Sequence, residues 1–162
     1  RNLNVYVISE DTSGKLLPAN TTLKNNLRNW LLQYKVVNDT VDILDAQIIN
    51  FGINYVAAVD LNASRYTVIN RDNAALRDYL LKNQYDIGES ILITDFYKIL
   101  QKVDGIVDVI DLEIVGKSGG TYAESSFNFK SNLSADGRRI ESKNNAVFEL
   151  KFANVDIKGA IR

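Results

Sequence analysis

The chain has 162 residues, 46% hydrophobic and 24% charged, the balance of a soluble globular protein long enough to close a hydrophobic core. Its 19 basic and 20 acidic residues leave a net charge of −1, which supplies no electrostatic drive toward a polyanion or an acidic membrane surface. With no Cys and no His, the sequence excludes disulfides, thiolate nucleophiles, the usual general base and the commonest zinc ligands. No apolar run approaches the ~18 residues of a membrane span, and no signal-peptide pattern is present. The sequence starts at Arg1 and contains no Met, which predicts a fragment of a larger protein.

Taken in order, residues 3–8 (LNVYVI) are β-branched and alternating, and predict a first strand. A turn at 10–14 and the single proline, Pro18, lead into the next element. From Asn20, the residues Leu23, Leu27, Trp30, Leu31 and Tyr34 recur at helical spacing, with Asn20 or Thr21 as the cap. This stripe predicts a helix packed on a sheet. Residues 41–60 form the longest β-like run. Ile49, Phe51, Ile53 and Tyr55 alternate with Asn50, Gly52 and Asn54, the pattern of a strand with one wet face. The earlier half has a different phase, so a turn or bulge is expected near residues 45–47. Asp39, Asp42 and Asp45 lack the spacing, glycine and terminal glutamate of an EF-hand loop. Residues 63–83 predict a second helix, with Val68, Asp72, Ala75, Leu76, Tyr79 and Leu80 along one side.

Residues 85–115, YDIGESILITDFYKILQKVDGIVDVIDLEIV, hold four signals in succession. Gly88 marks a turn that needs a backbone conformation other residues resist. Thr94 is a candidate N-cap with Asp95 suited to the helix dipole, and Phe96, Ile99, Leu100 and Val103 share one helical face. Gly105 is a left-handed stop, and the Val- and Ile-rich run 106–115 is a strand. After the glycine-serine loop 116–120, two β-like runs follow at 122–130 and 146–157, separated by a turn at 134–137. This order predicts an α+β fold: a split βαβ-type sheet with helices on one face, in a core domain at 1–116. Residues 117–162 are read as a C-terminal β extension that either completes the same sheet or reaches a partner.

The stretch IGESILITDFYKILQKVDGIVDVIDLEI resembles the C-terminal region of the J-type baseplate proteins of contractile-tailed phages, and among them the baseplate wedge proteins of T-even-like phages. The shared pattern is an Ile-Gly-Glu turn at Ile87, Gly88 and Glu89, then a short helix, then Gly105 and Ile106 ahead of a strand. Residues 148–159, FELKFANVDIKG, are similar to the end of the wedge protein, and residues 3–115 carry most of the resemblance. The resemblance implies a structural virion protein of the tail baseplate, assembled in the host cytoplasm, with no enzymatic activity and no cofactor. It implies a homo-oligomer, a dimer in the wedge, that also contacts other baseplate wedge proteins. Arg71, Arg77, Tyr85 and Lys98 are the candidate contact residues; a solvated helix face is the plain alternative for each. Glu89 is expected to cap the next helix or to pair with a neighbouring subunit.

Two other functions fit the layout less well. An RNA-recognition-like module would need paired aromatics on central strands and a basic surface. Tyr6 is a possible stacking residue, Trp30 would be a stacking platform if its stripe did not pack on the sheet, and residues 51–55 sit beside Asn rather than Lys or Arg. A carboxylate enzyme could draw on aspartates at 39, 42, 45, 60, 72, 86 and 95, but none stands in a spaced motif, and SGKLL and GKSGG lack the phosphate-loop pattern.

Overall fold

A computed structural model describes residues 2–34 and 39–162; Arg1, where the sequence begins, lies outside them. The elements follow in the order β1 (Asn2–Val7), β2 (Ser9–Glu10), β3 (Leu16–Leu17), α1 (Thr21–Leu32), β4 (Thr40–Asp45), β5 (Gln47–Val59) and α2 (Arg65–Lys82). They continue with β6 (Ile91–Leu92), α3 (Ile93–Gln101), β7 (Ile106–Lys117), β8 (Arg139–Ile140), β9 (Ala146–Glu149), α4 (Ala153–Asp156) and β10 (Ile157–Ile161). The chain is an α+β protein whose strands form four small sheets among the described residues.

The first unit is β1–α1–β4. Its strands run parallel, with Leu3 opposite Val41 and Tyr6 opposite Leu44. Asn20 caps α1, its Oδ1 accepting from the Leu23 N–H at 2.7 Å. The β-rich run 41–60 breaks at Ala46, whose buried N–H donates to the Val7 carbonyl. The two halves therefore enter different sheets, which explains their different phase.

β5 is the centre of the main sheet. β7 pairs antiparallel along one edge, from Asn50 opposite Lys117 to Val59 opposite Ile106. Along the other edge β9 and β10 pair parallel in succession, at Gln47–Asn50 and Ile53–Ala57. Between them the single-turn α4 passes over Gly52, where a β-carbon would lie 2.7 Å from the Asp156 carbonyl oxygen. Only glycine admits that crossing. Ile49, Phe51, Ile53, Tyr55 and Ala57 face a core closed by Leu76 and Leu80 of α2 and by Phe96 and Leu100 of α3. Phe51, Phe96 and Phe148 are fully buried, and each contributes about 1.5–3 kcal/mol of transfer free energy.

The opposite face of β5 is drier than its Asn-rich pattern predicts. Ile48 packs with Ala46 and Val147 against Tyr6, Ile8, Leu16 and Ala123. Asn50 is buried because both ends of its amide are used: Nδ2 donates to Glu149 Oε2 at 2.7 Å, and Oδ1 accepts from the Ala123 N–H at 2.7 Å.

Three local expectations are corrected. Thr94 is not an N-cap, because α3 starts at Ile93, whose N–H donates to the Arg138 carbonyl of a distant turn. Residues 122–130 form no strand; Phe127 and Phe129 instead pack edge-on to each other and against Phe148. The run 146–157 is not one strand but β9, α4 and the first residue of β10. Residues 117–162 complete the β5 sheet, and Phe129, Ile140, Phe148 and Ile157 share its core.

Candidate functional site

Of the buried polar side chains, Asn50, Glu149 and Asp156 are committed to holding the fold together, and Asp72 of α2 has no hydrogen-bond partner among the described residues. Asp156 is buried, accepting from the Tyr122 hydroxyl at 2.6 Å and the Phe152 N–H at 3.1 Å, with Lys117 Nζ at 4.0 Å. That hydrogen bond pushes the Tyr122 phenol up to about 12, with burial and the Asp156 charge adding to it. Of the acids near the N-terminus, Asp45 accepts from the Ala19 N–H and pairs with Lys24 at 2.7 Å, and Asp42 accepts from Asn2. Among the described residues no group of three or more acidic side chains is placed to hold a metal ion.

The contact candidates scatter. Arg71 is exposed on α2. Arg77 reaches Asn154 at 3.4 Å and Asp78 at 3.5 Å, and Lys98 pairs with Asp95 at 3.2 Å on its own helix. Tyr85 lies beyond the end of α2 rather than on a helix face, and its ring packs edge-on to Phe51 and Phe148. Burial raises its phenol pKa, with the nearby Tyr79, Glu89 and Asp95 adding to the rise. Tyr85 is thus partly buried against the main core. Glu89 caps its own turn, accepting from the Asp86 N–H at 2.7 Å. Gly88 and Gly105 have φ of 83° and 98°, and the Gly88 N–H donates to the Ala146 carbonyl. These glycines position chain segments.

Part of the exposed apolar surface lies on α1. Its stripe was expected to pack on a sheet, yet no residue of α1 is buried. Leu23 is 48% exposed, Trp30 54% and Tyr34, just past the helix end, 70%. Trp30 and Tyr34 stack against each other with ring centroids 4.9 Å apart. The physical reason is the width of the sheet beneath: α1 rests on β4, and β1 and β4 pair with no other described strand. Two strands cannot cover a helix of twelve residues. Leu3 and Leu44 are exposed on the same unit. Parallel sheets are ordinarily covered on both faces, and free strand edges invite pairing with another chain.

The same burial pattern bears on stacking. Phe51 and Tyr55 point into the core beneath α2 and α3, and Tyr6 packs against the cluster around Ile48. None of the three offers an open ring face for a base. No helix among the described residues is long and apolar enough to cross a membrane. No family model matches the sequence, and no curated protein matches it either.

Proposed function

We propose that the chain is a structural component of the tail baseplate wedge of a contractile-tailed bacteriophage, acting by self-association and by contacts to other wedge proteins. The observation that carries this reading is the uncovered β1–α1–β4 unit, with Leu23, Trp30 and Tyr34 exposed above a two-stranded parallel sheet. The resemblance of residues 87–114 to J-type baseplate proteins supplies the biological setting. The lack of Cys and His agrees with a mechanical rather than a catalytic role. A stable interface buries on the order of 1,000 Å² or more. The free edge of β1 therefore belongs to the proposed contact along with the α1 face.

The test is the mass of the protein across a concentration series, by light scattering after size exclusion, for the parent chain and for Leu23→Glu with Trp30→Glu. The expected result is a concentration-dependent dimer or larger species that the double variant loses. A parent chain that stays monomeric at high concentration, or a variant that associates equally well, overturns the assignment of this face. The RNA-binding alternative gains no support from the buried Phe51 and Tyr55.

A further inference from the structure

Among the described residues β7 pairs only with β5, so its outer side is a free edge of the main sheet. Toward its C-terminal end residues 126–130 flank it, with Lys130 paired to Glu113 at 3.3 Å. Residues 107–112 are the open part, and Val107 and Ile110 are exposed there. An unpaired edge with apolar side chains is a template for a strand of another chain.

The register with β5 fixes which backbone groups of this stretch face outward. The Ala57 carbonyl accepts from the Arg162 N–H at 3.0 Å, so Ala57 turns its backbone groups toward β10 rather than β7. Its antiparallel partner Val109 therefore points its own N–H away from β5. Tyr55, two residues back, has the same orientation and sends the N–H of its partner Leu112 outward as well. A bulge leaves Ile110 without a partner on β5, which is why Val109 and Leu112 are three residues apart. Neither donor is free. The Val109 N–H donates to Asp108 Oδ1 at 2.8 Å, and the Leu112 N–H to Asp111 Oδ1 at 2.9 Å. Burial raises the phenol pKa of Tyr97 on α3, the Asp111 and Asp108 charges add to the rise, and the Leu112 N–H works against it. The Tyr97 hydroxyl thus stands beside the same carboxylates.

We infer that Asp108 and Asp111 keep the β7 edge closed to strand addition by a second copy of this chain. Two identical edges related by a twofold axis pair antiparallel, through the outward N–H groups that the carboxylates already hold. An incoming strand would have to break both bonds and bring its own two carboxylates against these, in a place where each loses water. Each cap is made by the residue just before its donor, so the edge is closed within the strand itself. This edge contains no residue of α1 and does not depend on the assembly reading.

The test compares two triple variants of the 162-residue protein by analytical ultracentrifugation over a concentration series. Asp108→Ala, Asp111→Ala and Tyr97→Phe together remove both carboxylates and the neighbouring hydroxyl. Asp108→Asn, Asp111→Asn and Tyr97→Phe remove the same charges but keep a side-chain oxygen before each donor. Both are made in the Leu23→Glu, Trp30→Glu background, where association through α1 cannot mask the difference. The alanine variant is expected to dimerise at a concentration about tenfold or more below the asparagine variant. Equal association of the two would show that charge alone guards the edge and would overturn the inference. So would an alanine variant that associates no more than its background. Hydrogen exchange checks the caps in the parent chain, where the Val109 and Leu112 amides should be protected. Unprotected amides there sink the inference, and that result needs no variant to fold. Loss of α1-dependent association leaves this outcome untouched, and failure here leaves the α1 surface standing.

Discussion

Gly159 lies so close to Tyr55 that a β-carbon at position 159 would fall on the phenol ring and its hydroxyl. The two residues are register partners across the β10–β5 ladder, and the strands pair there because residue 159 has no side chain. The Tyr55 hydroxyl in turn donates to Asn73 Oδ1 at 2.9 Å, tying α2 to the sheet. Gly159→Ala is expected to destabilise the fold by about 1–3 kcal/mol through overpacking. Adding Tyr55→Val should recover part of that loss. Urea unfolding of both single variants and the double variant closes the cycle. Strict additivity would show that the two positions do not compete for one space.

Asp72 is the one side chain with buried polar atoms that lack a hydrogen-bond partner, among the described residues. Burial pushes its carboxyl up to about 6 from the ordinary 3.8. Burial also raises the Tyr55 phenol, and the Asp72 charge adds to that rise. The folded chain therefore binds this proton more tightly than the unfolded chain. The contribution to stability is fully present below about pH 4 and is lost as the pH rises through about 6. The loss amounts to ~3 kcal/mol at alkaline pH. Asp72→Asn removes the titration, so the parent chain should lose stability relative to the variant between pH 4 and 8. Denaturant unfolding of both proteins across that range checks it; a constant difference would sink the idea.

Asn50 joins three segments through one amide, holding Glu149 of β9 and the Ala123 N–H of the loop after β7 against β5. Asn50→Ala leaves a buried carboxylate oxygen and a backbone N–H unmet, at a cost of about 2–4 kcal/mol. Hydrogen exchange at the Ala123 amide should accelerate beyond the change at amides of the β5–β7 ladder. Uniform acceleration would mean that the loop has no anchor of its own.

Gly105 is constrained twice, by its φ of 98° and by Val68 Cγ2, which would stand 2.9 Å from a β-carbon. Gly119 has φ of 79° with open space around it. Alanine at either position meets a backbone penalty on the order of 1 kcal/mol. Only Gly105→Ala adds a collision with α2, so its melting temperature should fall distinctly further. Equal losses would show that Val68 yields freely.

Local chemistry made much of this fold legible in the sequence. The alternation from Ile49 to Tyr55 marked the strand that organises the core, and the spacing of Leu76, Leu80, Phe96 and Leu100 marked the helix faces above it. Gly88 and Gly105 announced two left-handed turns. These signals are legible because side-chain period and backbone sterics act within a few residues. Coverage is a different property. The stripe on α1 looked like the stripe on α3, yet the first leaves Leu23 and Trp30 exposed while the second buries Phe96 and Leu100, because a narrow parallel pair lies beneath the first and the β5 sheet beneath the second. Asn50 looked wet and is dry because Glu149 and Ala123, distant in sequence, meet its amide. Tyr85 looked solvent-facing and is partly buried because it packs edge-on to Phe51 and Phe148. Periodicity thus determined which side of each element is apolar. Only the tertiary structure decided what that side meets, since burial depends on segments brought together from far along the chain.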